Sequence, residues 1–168
     1  ALLEILEERK TVTPAELKLI AGDEAEVDPQ VFANRSVPVQ ALKDFAFTPE
    51  QIVLLLSAGE TATAALAKAE SAGAWVVDAA GISRGDESVA LIHPLLNAAS
   101  LNARDEQDRK VIAVPGAGAA MIAEALYPLK SQLQSVEVVL NQPVSALGKS
   151  CVDAAAAQTA RLFNGQEP

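Results

Sequence analysis

Apolar residues recur along the chain in two alternating rhythms, one helical and one extended. Leu2, Leu3, Ile5 and Leu6 fall at helical spacing, with Glu4, Glu7, Glu8, Arg9 and Lys10 on the wet side, and TVTPAE closes that helix. LKLIA then reads as a short strand. VFANRSVPVQ reads as extended structure that Pro38 confines to a sheet edge, because proline has no N–H to donate to a ladder. QIVLLLSAG is apolar without polar alternation, the pattern of a strand buried on both faces. ETATAALAKAESAG predicts a helix closed by Gly73, and AWVVDAAG a second buried strand. VALIHPLLN, a helical AASLNARDEQDRK, the strand VIAVP and a helical GAAMIAEALYPLKSQL continue the alternation. Extended VEVVLNQPVS and a helix, ALGKSCVDAAAAQTARLF, ended by Asn164 and Gly165, complete it.

Strand, helix and strand joined by short connections predict right-handed parallel crossovers. Their repetition predicts an α/β fold built on a doubly wound parallel sheet. Ligands of such sheets sit beyond the carboxyl ends of the strands. Chemistry is therefore expected in the loops after VLLL, WVVD, VIAV and VEVVL.

Composition narrows the field. The 168 residues, half of them apolar, are enough for a domain with a real core. Thirteen basic against twenty-two acidic residues give a formal charge of −9, a field that repels phosphate backbones and anionic lipid, so neither nucleic acid nor membrane is expected as a partner. The single cysteine, Cys151, cannot close an internal disulfide. No apolar stretch reaches the roughly 20 residues of a membrane span, and ALLEILEERK lacks the pattern of a signal peptide. A reducing, cytoplasmic setting is the expectation. One histidine, His93, and one distant cysteine make no metal site, so no metal is expected.

The strand-to-helix turn in VIAVPGAGAAMIAEAL raises a specific question. GAGAAM approaches the glycine fingerprint that brings backbone amides to a pyrophosphate at a helix N-terminus, but Met121 stands at the third glycine position. The turn is either a phosphate site or a tight corner. His93, between an apolar strand and Pro94, reads as a structural or surface residue. Cys151 shares a helical face with Leu147, Ala154, Ala155 and Leu162 and reads as a packed apolar residue.

Order and spacing of several segments resemble the aspartate-semialdehyde dehydrogenases. LLLSAGETATAALAKAESAGAWVVDAAGISR is similar to the family's strand, Ser-Ala-Gly, helix, strand and Asp, with Ser57, Ala58, Gly59, Asp78 and Arg84 in register. HPLLN keeps Pro94 and Asn97 of the family's Val-Pro-Glu-Val-Asn. NQPVSALGKSCVDAAAAQTARLFNGQ keeps Gln142, Val144, Ser145, Gly148 and Lys149, with Ala146 in place of a glycine. The resemblance implies a Rossmann-like NAD(P)-binding domain over residues 1–127, lacking its first strand and glycine-rich loop. It implies that residues 128–168 begin an α+β dimerisation domain, with a homodimer as the complete form.

Roles follow by the same route. The resemblance implies substrate contacts at Arg84 and Asn97, and cofactor contacts at Ser57, Ala58, Gly59, Ser145 and Gly148. It places the catalytic positions at Ala117 and Gln142. A nucleophilic cysteine belongs at the first of these, where a helix N-terminus favours a thiolate that attacks the aldehyde carbonyl. Here that position carries a methyl group, and Gly116 replaces the flanking asparagine. The loop GDEAEVD, with Asp23, Glu24, Glu26 and Asp28, repels the 2′-phosphate of NADP. It suits the ribose hydroxyls of NAD or is simply solvated. The expected function is a dehydrogenase-like protein without the catalytic cysteine, close to the family's non-catalytic Usg-type paralogues and with a binding or structural role. The alternative is an NAD(P)-dependent oxidoreductase acting on an aldehyde.

Overall fold

The computed structural model describes residues 2–22, 28–103 and 109–167. They form two compact units, Ala1–Tyr127 and Pro128–Pro168.

The first unit opens with α1 (Leu2–Arg9), which packs against β2. Next come β1 (Leu19–Ala21), β2 (Gln30–Phe32), β3 (Arg35–Val37) and β4 (Val39–Ala41). The extended region read from VFANRSVPVQ is thus three short strands. β2 and β3 form an antiparallel hairpin across Ala33 and Asn34, whose φ angles of 48° and 59° suit the tight turn that matches strand twist. β4 pairs in parallel with β1.

A four-stranded, all-parallel sheet follows, with β5 (Ile52–Leu55), β6 (Trp75–Asp78), β7 (Ala90–Leu91) and β8 (Val111–Ala113) in the spatial order β5-β6-β8-β7. This is the α/β architecture with a parallel sheet expected from the alternation. Helix α2 (Glu60–Ser71) crosses from β5 to β6 and packs on both. Its buried Ala62, Ala65, Leu66 and Ala69 bring it close to the sheet, where Leu55, Val76, Val111 and Ala113 complete the core. Gly73, at φ 75°, ends the helix: its N–H bonds Glu70 O, and the Ala74 N–H bonds Ala69 O. A left-handed residue beyond the cap satisfies the last carbonyls in this way. Helix α3 (Ala117–Leu126) follows β8.

Several expectations need correction. β5 is not buried on both faces: Val53 and Leu55 pack toward α2, while Ile52 and Leu54, on the alternate face, are 70% and 43% exposed. A single crossover helix covers only one side. The segment read as a helix over 98–110 forms only a 3₁₀ turn at Ala98–Ala103, and 104–108 lie outside the described residues. The helix after β8 stops at Leu126 and passes into a 3₁₀ turn at Tyr127–Leu129.

In the second unit a 3₁₀ turn (Val144–Leu147) leads into α4 (Lys149–Phe163). The strand expected in VEVVLNQPVS does not form. Val136, Val138, Val139 and Leu140 are exposed, and among the described residues no neighbouring strand offers the hydrogen bonds that define one. The packed face expected around Cys151 is also open: Cys151 is half-buried, but Leu147 and Leu162 are 64% and 60% exposed. Among the described residues no helix is long and apolar enough to cross a membrane.

Candidate functional site

Strand register decides what meets at the carboxyl edge of the sheet. Leu55 pairs with Asp78, Asp78 with Ala113, and Ala113 with Leu91, so the last residues of all four strands stand in one row. The loops carrying Ser57 to Gly59, Arg84, Asn97 and the 114–117 turn therefore leave from one edge.

Asp78 organises the loop after β6. It is fully buried. Its Oδ1 accepts from the Gly81 N–H at 2.8 Å, and its Oδ2 from the Ser83 N–H at 2.7 Å and the Ser83 hydroxyl at 2.6 Å. Burial alone pushes this carboxyl up, but the three hydrogen bonds and the nearby Arg84 charge outweigh it, and its pKa lies below the ordinary carboxylate value. The loop is thereby folded to present Arg84.

Arg84 spans two loops. Its Nε donates to Val114 O at 2.6 Å and its Nη2 to Ala79 O at 3.0 Å, stitching the turn after β8 to the loop after β6. A Cβ on Gly81, whose φ is 89°, would press on the Arg84 guanidinium, so a side chain there both strains the backbone and requires the guanidinium to shift. A Cβ on Gly116 would lie 3.7 Å from the same nitrogen, in ordinary contact. The guanidinium thus rests beside the turn that opens α3. Gly116 caps that helix with no side-chain hydrogen bond, its carbonyl accepting from the Ala120 N–H at 2.9 Å, and Ala117 is the exposed first residue of the helix. A guanidinium and an uncapped helix N-terminus side by side form an electropositive corner. At the start of α3 the side chain of Ala117 presents a methyl group.

The other predicted residues have separate surroundings. Asn97 accepts from the His93 N–H at 2.6 Å and donates to Leu91 O at 2.9 Å, so its amide folds the loop after β7. His93 Nδ1 accepts from the Leu95 N–H at 3.3 Å. Ser57, Ala58 and Gly59 are exposed ahead of α2, and Gly59, at φ 105°, is the residue before its first turn. A Cβ on Gly22, just after β1, would lie 3.3 Å from Thr61 Oγ1, which brings the end of β1 to that first turn. A Cβ on Gly59 or Gly148 would meet nothing within 4 Å, so positive φ, not close approach, accounts for both glycines. In the second unit Gln142 is exposed in irregular chain. Ser145 accepts the Gly148 N–H at 3.2 Å, and Gly148, at φ 98°, precedes α4. Asp28 is exposed, whereas Asp23, Glu24 and Glu26 of the acidic loop lie outside the described residues. Among the described residues no group of three His, Cys, Asp or Glu is placed to hold a metal ion.

Sequence reasoning missed the seat of Arg84. Gly81 three positions before the arginine was the one available signal, because its two acceptors are backbone carbonyls.

No protein-family model matches the sequence. Aspartate-semialdehyde dehydrogenase 2 of Vibrio cholerae is 30% identical over 166 residues, covering 98% of this chain and 48% of that protein. The aspartate-semialdehyde dehydrogenase of Vibrio mimicus is 30% identical over 166 residues, covering 98% and 52%. A crystal structure of aspartate semialdehyde dehydrogenase II from Vibrio cholerae, complexed with ASA, superposes with a TM-score of 0.76 at 31% identity, over 98% of this chain and 49% of that one. A probable aspartate-semialdehyde dehydrogenase from Pseudomonas aeruginosa superposes with a TM-score of 0.75 at 28% identity, over 98% and 49%. The chain spans about half the length of the curated relatives it matches. In sequence and fold the chain is similar to the aspartate-semialdehyde dehydrogenases along about half of their length.

Proposed function

We propose that this chain carries the aspartate-semialdehyde dehydrogenase scaffold in a form that makes no thioester, and that its role is binding or structural, as in the family's Usg-type paralogues. The observation that supports this reading is Ala117 at the first position of α3, beside the seated Arg84. Attack on an aldehyde needs a nucleophile there, and a methyl group has none. The positively charged corner survives without it. The unpaired edge of the Arg84 guanidinium and the first amides of α3 suit a phosphate or carboxylate. Gln142, the second family catalytic position, has no thioester to orient.

Asn97, a substrate position by the family resemblance, also shapes the loop after β7. Ser57, Ala58 and Gly59 are the residues of the first unit that would contact NAD or NADP; within the second unit the family resemblance gives that role to Ser145 and Gly148. When bound, the nicotinamide supplies a hydride acceptor. Residues 1–127 correspond in this reading to the cofactor-binding domain, and 128–168 to the start of the dimerisation domain of a homodimeric whole.

The test is phosphate-dependent reduction of NAD or NADP with aspartate semialdehyde, alongside calorimetric titration of phosphate and of both cofactors. We expect no turnover, and phosphate binding that falls at least tenfold in Arg84→Ala. Turnover near the ordinary enzyme median of about 10 per second would overturn the proposal in favour of an active aldehyde oxidoreductase.

A further inference from the structure

A second concavity lies apart from the loops that carry Arg84, Ala117 and Asn97. β1 and β4 run parallel with Leu19 opposite Val39, and the residues just before each strand enclose a hollow of about 240 Å³ at their amino ends. Leu17, Leu19, Val37 and Pro38 give it aliphatic walls, and Val37 is almost fully buried. The exposed Lys18 and Arg35 line it as well, and among the described residues no acidic side chain does. Among the described residues, neither cation forms a side-chain hydrogen bond or an ion pair.

That pairing of features is informative in a chain of net charge −9. Where carboxylates outnumber cations, two unneutralised cations in one hollow make a local positive potential against the prevailing field. The apolar walls lower the local dielectric, so an anion seated there interacts with both cations more strongly than at an open surface. Size sets the class of ligand. A cavity of about 240 Å³ falls below the roughly 300–1,000 Å³ typical of sites for larger ligands, which excludes a dinucleotide and admits a molecule of a few carbon atoms.

We infer that this hollow binds a small organic anion with a compact aliphatic body, a short-chain carboxylate held by Lys18 and Arg35 with its carbon chain against Leu17, Leu19, Val37 and Pro38. The inference does not depend on the reading of the Arg84 corner, since the two share no residue.

Titration of the ¹⁵N-labelled chain with isovalerate tests it, read as amide shifts. Inorganic phosphate serves as the anion without an aliphatic body, and 3-methyl-1-butanol as the body without a charge. Saturable shifts confined to 14–19 and 35–40 are expected with isovalerate, with both comparison compounds at least tenfold weaker. The double variant Lys18→Gln, Arg35→Gln should keep the remaining spectrum and lose at least tenfold in isovalerate affinity. Non-saturable shifts, shifts centred elsewhere, equal binding of either comparison compound, or unchanged affinity in a folded double variant would overturn the site. Should the variant not fold, the three-compound comparison on the natural chain decides alone.

Discussion

Gly81 and Arg84 act as a matched pair: the missing side chain of one is the space the other occupies. Gly81→Ala should therefore destabilise the chain by about 2 kcal/mol or more, combining positive-φ strain with displacement of the guanidinium. The same substitution should cost measurably less in an Arg84→Ala background, where only the backbone strain remains. A double-mutant cycle by denaturant unfolding reads the difference. Asp78 is the second critical position. Asp78→Ala leaves the Gly81 N–H, the Ser83 N–H and the Ser83 hydroxyl without their acceptor, and should cost about 2–4 kcal/mol in the same assay. At this scale the sequence named the right residues and not their seats. Asp78 and Arg84 stood in register with a family pattern. The carbonyls of Ala79 and Val114 that hold the arginine belong to the backbone, which every residue carries alike.

The elements are joined by a second polar node away from the site. Arg109, just before β8, pairs with Glu70 near the end of α2, its Nη2 donating to Oε2 at 2.9 Å, and with Asp86 in the loop before β7. Hydrogen bonds from Ser88, first its hydroxyl and then its N–H, together with Arg109, lower the Asp86 carboxyl from 3.8 to about 2. A carboxyl lowered on folding stabilises the native state above its unfolded pKa and loses that contribution as pH falls through the folded value. Stability should thus decline between pH 3.8 and about 2, and Asp86→Asn should flatten that part of the profile. Because the pair is exposed to solvent, screening keeps its contribution small. Elements were legible where local signals agreed. α2 has its small buried face and Gly73 stop, and β6 and β8 have short apolar runs between turn residues. They were not legible where partners decide: VEVVL has strand-like residues and no strand beside it.

For the molecule as a whole, burial is concentrated in the first unit. The residues at the centre of the core, among them Val76, Val111, Ala69 and Ala113, are fully buried, whereas 131–148 are exposed throughout. Hydrogen exchange should accordingly be slowest at 76–78 and 111–113 and close to unprotected at 136–142. The α/β architecture could be read from the alternation of patterns because a parallel sheet requires a crossover between its strands. The separation into a two-stranded β1–β4 sheet and a four-stranded sheet could not be read, because it depends on which edges pair.

On the proposed reading, the family's reaction has no starting point at Ala117. Intact-protein mass spectrometry after incubation with aspartate semialdehyde and oxidised NADP, with phosphate omitted so that any acyl-enzyme accumulates, addresses it most directly. The mass should remain that of the unmodified chain. An added acyl group, on Cys151 or on any other side chain, would contradict the account.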